Sequence, residues 1–248
     1  YESEAEDIDG DDDNHVPDVF RHDLVSGQTL RISLNDGYEG IGAWRPSISD
    51  DGARIAFLSD GDGFVPGDDN ESTDVFVWDA ATGLSRVNLG PLDVEADGGD
   101  AYSAEISGDG RHVAFDTYAS NLVDGDTNNA LDVFVRDLRS GKEETVRFEE
   151  ETYSLGMAVG YEFDTSVFRL TYSSPTTPSR TYDMDLQTGT RTLLKEQEVP
   201  SGHNPADYET RRLFATAPDG ELVPVTVLYR KGLVLDGSAP ALLYGYGA

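Results

Sequence analysis

A chain of 248 residues with 38% hydrophobic side chains is long enough to bury a core, and it carries a formal charge of −30 and no cysteine. Such a charge repels phosphate backbones and argues against nucleic-acid binding, while the missing thiols exclude disulfides, thiolate metal sites and a cysteine nucleophile. No apolar run reaches the roughly 18 residues of a membrane span and no basic-then-apolar leader is visible, so we expect no membrane association and a cytoplasmic location.

The charge is uneven. Residues 1–150 carry 36 acids and 10 bases, whereas residues 151–248 carry 12 acids and 8 bases. Only three bases are lysine. An Asp-rich, Lys-poor surface resembles proteins adapted to high salt, where counterions screen self-repulsion; solvated acidic turns account for the same residues. A first residue other than Met leads us to expect a processed chain or a fragment.

Residues 1–15 read as an acidic lead-in. The spacing Asp7-Ile8-Asp9-Gly10-Asp11 offers carboxylates, but no Glu closes the loop at the distance a calcium site needs. From Val16 the chain becomes periodic. Asp18-Val19-Phe20, Asp74-Val75-Phe76 and Asp132-Val133-Phe134 are separated by 56 and 58 residues, and Ile48-Ser49-Asp50-Asp51-Gly52 returns 58 residues later as Ile106-Ser107-Gly108-Asp109-Gly110. Acidic loops precede each Asp-Val-Phe: Asp12-Asp13-Asn14, Asp68-Asp69-Asn70 and Asp126-Thr127-Asn128. Three landmarks at one spacing establish a repeat.

Each repeat parses into short strands. Val-Phe-Val and Ile-Ala-Phe runs are β-branched and aromatic, too short for helices, and bounded by turn residues. Asp51-Gly52 and Asp109-Gly110 predict hairpins. A second turn recurs as Asp23-Leu24-Val25-Ser26-Gly27, Asp79-Ala80-Ala81-Thr82-Gly83, Asp137-Leu138-Arg139-Ser140-Gly141 and Asp185-Leu186-Gln187-Thr188-Gly189, before returning strands at Leu30–Ser33, Ser85–Asn88 and Glu144–Arg147. Four antiparallel strands per unit describe a propeller blade, with the surplus length in the acidic loop. The segments from Pro46 to Gly83 and from Ala104 to Gly141 resemble TolB-type, WD-like propeller repeats. That resemblance speaks for fold and says little about function.

A fourth unit begins within residues 149–160 and includes Glu162-Phe163-Asp164 and Phe168-Arg169-Leu170-Thr171-Tyr172, without the Asp-Gly turn. From Tyr161 to Ala248 three motifs stand out: Tyr172-Ser173-Ser174-Pro175-Thr176-Thr177-Pro178, Ala217-Pro218-Asp219-Gly220 before a Val-Pro-Val strand, and Tyr244-Gly245-Tyr246-Gly247. This third of the chain resembles the prolyl oligopeptidase family of serine peptidases, most closely its oligopeptidase B branch. The residues agree with such a layout. Arg212–Ala217 and Val223–Tyr229 flank Asp219-Gly220 and predict a hairpin, and Ala241-Leu242-Leu243-Tyr244 is an apolar run of the kind buried on both faces of a sheet.

The expected fold is all-β. Residues 16–205 form propeller blades, three similar and one divergent with the ring incomplete, and residues 206–248 begin a truncated α/β-hydrolase domain. Such a hydrolase needs a serine on a Gly-x-Ser-x-Gly turn, then an acid and a histidine, and no Gly-x-Ser-x-Gly occurs. The resemblance implies one site residue, Tyr246, whose hydroxyl would face the oxyanion. His15, His22, His112 and His203 show no ligand spacing; His112 takes a surface-alternating position, and His203 with Ser201 and Asp207 reads as turn chemistry. Asp68, Asn70, Asp126 and Asn128 are weak calcium candidates, solvated turns with Asx hydrogen bonds being the favoured explanation, and no cofactor is expected.

The resemblance implies the propeller and beginning of an oligopeptidase that cuts short peptides after basic residues in the complete enzyme, with this chain inactive alone. An acidic propeller suits cationic peptides, and an open ring invites the rest of a hydrolase domain or a second copy. The alternative is a non-catalytic propeller that binds peptides or proteins.

Overall fold

The computed structural model describes residues 1–5, 7–8, 15–33, 42–61, 64–126, 130–158 and 167–245. Asp9-Gly10-Asp11, Asp12-Asp13-Asn14, Thr127-Asn128, Glu162-Phe163-Asp164 and Tyr246-Gly247 lie outside those residues.

The period is realised as antiparallel meanders. The strands β4 (Ala43–Ile48), β5 (Arg54–Ser59), β6 (Asp74–Asp79) and β7 (Gly83–Arg86) form one four-stranded sheet in chain order. The next repeat gives β8 (Ala101–Ile106), β9 (His112–Thr117), β10 (Asp132–Asp137) and β11 (Lys142–Thr145). The divergent unit gives β12 (Ser154–Ala158), β13 (Val167–Ser173), β14 (Arg180–Asp185) and β15 (Arg191–Glu196). A three-stranded sheet precedes them: β2 (Asp18–His22) lies between β3 (Thr29–Arg31) and β1 (Glu2–Ser3), so two lead-in residues pair with the first Asp-Val-Phe strand. Like landmarks set the repeat length but leave its starting point open. The structure starts each complete blade at β4 or β8, which puts the acidic loop inside the sheet, between its second and third strands.

The central strands explain the stacking. Along β5, Ile55 and Phe57 pack with Val19 and Ile32 of the preceding sheet, while the alternate residues Ala56 and Leu58 pack with Ile106 and Phe115 of the next. Along β9 and β10, Phe115 and Phe134 face back, while Ala114 and Val133 face forward onto Leu155, Phe168 and Leu170. Two-sided burial accounts for the apolar centres of these strands, Ile55 to Leu58, Val113 to Phe115 and Val133 to Val135. Each fully buried phenylalanine contributes about 2 kcal/mol through burial alone. Among the described residues the apolar clusters join consecutive sheets, and the ring is not closed.

Polar contacts tie the neighbours. Asp50 N–H donates to Gly108 O at 2.9 Å, Arg54 Nη1 to Gly110 O at 2.7 Å, and Ile106 N–H to Ser47 Oγ at 3.1 Å. The repeated Asp-x-x-x-Gly turn has one geometry throughout. The carboxylates of Asp23, Asp79, Asp137 and Asp185 each accept the N–H groups two and three residues on, and the closing glycines at 27, 83, 141 and 189 have φ between 68° and 85°. That left-handed region is where glycine carries no Cβ penalty.

The predicted hairpin is β16 (Tyr208–Thr216) paired with β17 (Leu222–Arg230), turning at Asp219-Gly220. The apolar run 241–244 differs from expectation. It forms no strand, and Leu242, Leu243 and Tyr244 are 94%, 89% and 83% exposed. The hairpin sheet has two strands, so no neighbouring strand or covering layer among the described residues buries that run.

Candidate functional site

The Asp-Val-Phe acids are structural. Asp18, Asp74 and Asp132 are all buried. In the first two sheets the device is identical: Asp18 Oδ1 accepts Ser33 Oγ and Asp74 Oδ1 accepts Asn88 Nδ2, both at 2.5 Å, while Ser33 Oγ and Asn88 Oδ1 accept the N–H of Val19 and Val75. Arg31 Nη1 and Arg86 Nη1 reach the second carboxylate oxygens at 3.4 and 3.0 Å. The acid thereby clamps the end of the outer strand. At the corresponding places of the third repeat stand Thr145 and Arg147.

Around Arg86 the clamp becomes a cage. Its Nη1 also lies 2.9 Å from Asp68 Oδ1 and 2.5 Å from Glu95 Oε1, and Nη2 donates to Gly67 O. Asp68 is therefore a buried ion-pair partner, where the sequence suggested a solvated turn or a calcium ligand. Oxygens of Asp68, Asp74 and Glu95 lie within 4.8 Å of one another, a spacing that suits a cation, but the guanidinium sits among them. A metal would have to displace Arg86. Burial opposes its charge, yet Glu95, Asp74 and Asp68 outweigh that and raise its pKa above the ordinary value. Asn70 makes the turn contact expected of it, accepting Ser72 N–H at 2.9 Å, and donates to Ala96 O. Asp126 lines a cavity between the third repeat and the hairpin, and Asn128 lies outside the described residues.

A second hub joins the fourth sheet to the hairpin. Four hydroxyls converge on Glu150: Tyr172 at 2.7 Å, and Ser174, Thr176 and Thr177 each at 2.5 Å. The Tyr-Ser-Ser-Pro-Thr-Thr-Pro motif is thus a hydroxyl cradle for one carboxylate. Burial pushes the Glu150 carboxyl up, but these donors outweigh it and bring its pKa down to about 2. The reverse side of the cradle is held by His203, whose Nε2 lies 2.6 Å from Thr176 O and whose ring stacks on Tyr208, the first residue of β16. His203 contacts neither Ser201 nor Asp207 here; Asp207 instead accepts Asn204 Nδ2 at 3.2 Å. The cradle borders an open cavity of about 420 Å³ whose charged walls are Glu149, Glu150, Glu151 and Glu209 against Lys231. It can attract a cation.

The other histidines are structural. His22 Nδ1 contacts Thr29 Oγ1 at 2.9 Å, and His15 is exposed with φ of 59°. His112 corrects the sequence reading: it opens β9 buried, because a strand sandwiched between two sheets has no solvent face. Tyr246 lies outside the described residues.

Alternating burial and four-stranded meanders in chain order define stacked, propeller-like blades. Residues 122–197 match the N-terminal β-propeller domain of prolyl oligopeptidase. The match begins inside the third repeat, well before Tyr161, so the family resemblance reaches into a blade that the motifs alone had grouped with TolB-type repeats. The chain is 38% identical to dipeptidyl aminopeptidase BI of Pseudoxanthomonas mexicana over 54% of this chain and 18% of the relative. It is 29% identical to Protease 2 of Moraxella lacunata over 51% of this chain and 18% of that protein. Oligopeptidase B from Trypanosoma brucei, solved with antipain covalently bound, shares the fold with a TM-score of 0.51 and 20% identity over 93% of this chain and 38% of its own. The resemblance to the prolyl oligopeptidase family, its oligopeptidase B branch included, is thereby shown. The chain spans under a fifth of the length of the two curated relatives.

Proposed function

We propose that residues 16–205 are the propeller, and residues 206–248 the opening of the catalytic domain, of a serine-type oligopeptidase that cleaves short peptides after basic residues, and that this chain alone does not hydrolyse them. The match of residues 122–197 to the family's propeller carries the reading. The basic preference is supported by the four-glutamate wall beside β16 and by the net charge of −30, both of which favour cationic peptides. The lack of a Gly-x-Ser-x-Gly turn supports inactivity, since without a nucleophile no other group can cleave an amide through an acyl intermediate. By resemblance, Tyr246 would stabilise the oxyanion only beside such a serine.

The test uses the purified chain with an Arg-containing fluorogenic peptide and a serine-reactive fluorophosphonate. No turnover and no labelling are expected; stoichiometric labelling would overturn the inactive assignment. A lysine-rich peptide should bind more tightly than its glutamate-substituted counterpart, and equal affinity would remove the basic preference. The second reading, a non-catalytic binding propeller, is favoured by the same missing nucleophile and gains ground if an uncharged peptide binds as well as the cationic one.

A further inference from the structure

We propose that the cavity between the third repeat, the start of the fourth and the hairpin binds the C-terminal residue of a peptide, taking its free carboxylate and an aromatic or bulky apolar side chain. This goes beyond the peptidase reading, which concerns cationic peptides at the acidic wall. The cavity is about 430 Å³, the size of a small-ligand site. Two arginines from separate elements line it: Arg147, just after β11, and Arg212, in the middle of β16. Neither guanidinium has a hydrogen-bond or ion-pair partner among the described residues, although the chain contains 48 acids against 18 lysines and arginines. Two unpaired guanidiniums on one cavity can hold an anion between them.

The acids of the cavity are accounted for. Asp132 is buried and, like Asp126, already engaged with other groups, and Glu151 lies within electrostatic reach of Arg211 outside the cavity. Three acids and two arginines thus line the cavity, and the two guanidiniums are the unpaired cationic donors among them. Two guanidiniums suit a carboxylate, each offering parallel donors. Thr152 Oγ1, on the same wall, is buried with no hydrogen-bond partner and supplies a further donor.

The rest of the wall is aromatic: Phe148, Tyr153 and Phe214. Phe148 is held rigidly, stacked on Tyr172 with centroids 4.1 Å apart and covered by Arg191 at 4.2 Å. Phe214 lies two residues from Arg212, so both project from one face of β16. An apolar side chain next to a carboxylate matches that arrangement, and a phosphate or a bare ion does not.

The experiment titrates the full chain with N-acetyl-L-phenylalanine and, separately, with its C-terminal amide, by calorimetry and by NMR. Saturable binding of the acid, with the amide at least tenfold weaker, is expected. Arg212→Gln, on the exposed hairpin, should weaken the acid at least fivefold without shifting the thermal midpoint, and Arg147→Gln should do the same. Phe214→Ala should weaken N-acetyl-L-phenylalanine more than N-acetylglycine. Absence of saturable binding, equal affinity for acid and amide, or unchanged affinity in folded Arg212→Gln would each overturn the proposal.

Discussion

Glu150 and Tyr172 are joined by a hydroxyl-to-carboxylate hydrogen bond of 2.7 Å across 22 residues of chain, and three more hydroxyls complete the cradle. Because the folded pKa of Glu150 is about 2 against an ordinary 4.5, its contribution is complete above pH 4.5 and is lost as pH falls toward 2. Glu150→Ala should cost about 2 kcal/mol in urea denaturation at pH 7, a figure held down by partial solvent screening, and the loss should shrink below pH 3. An unchanged midpoint at pH 7 would show that the cradle is not stabilising.

Arg86→Met leaves Asp68, Asp74 and Glu95 facing one another without their cation. A penalty of about 3 to 5 kcal/mol is expected at pH 7. Protonation can relieve the orphaned carboxylates, so the deficit should be smaller at pH 4 than at pH 7. If calcium restored the variant's melting temperature, the cage would have become a metal site.

Glu143 works in the opposite sense. It is buried on β11, its Oε1 has no hydrogen bond, and burial pushes its carboxyl up to about 8 although Arg136 lies 3.2 Å from Oε2 and partly offsets this. The folded state therefore holds the proton more tightly, and stability should fall as pH rises from 4.5 to 8. Glu143→Gln should flatten that slope and leave the variant about 1 to 3 kcal/mol more stable at pH 8. Chemical denaturation at pH 5 and pH 8 measures it.

Gly99 offers a steric test of blade packing. A Cβ there would lie 2.0 Å from Ala119 N, a backbone atom that cannot swing aside, so Gly99→Ala should cost about 3 kcal/mol or more. Gly125, with open space around it and φ of 82°, should cost about 1 kcal/mol on the same change, from backbone conformation alone. Comparable losses in the two variants would argue against the close approach.

Period, hairpins and strand type were legible because they depend on residues near in sequence. Asp79-Ala80-Ala81-Thr82-Gly83 needs only its own side chain and glycine to make its turn. The phase of the blade was not legible, since a cyclic pattern has no marked beginning and the β1–β2 pairing depends on residues 17 positions apart. Glu150 escaped notice for a related reason. It stands in a run of three glutamates that reads as solvated surface, and its partners lie 22 to 27 residues further on. The arginine cage was equally hidden, because Asp68 and Glu95 flank Arg86 only after the loops fold back. His112 and the run 241–244 were misjudged in opposite directions: alternation and hydrophobicity describe one strand, while burial is decided by what lies above and beneath it.

Central strands covered on both faces have a mechanical consequence. Each interior blade draws its cohesion from two neighbours, whereas among the described residues the sheet holding β2 and the sheet holding β13 have an apolar cluster on one flank only. Unravelling should then proceed inward from those outermost leaves, as it does in linear arrays, and amide exchange should be slowest around Phe57 and Phe115 and quicken in both directions along the stack.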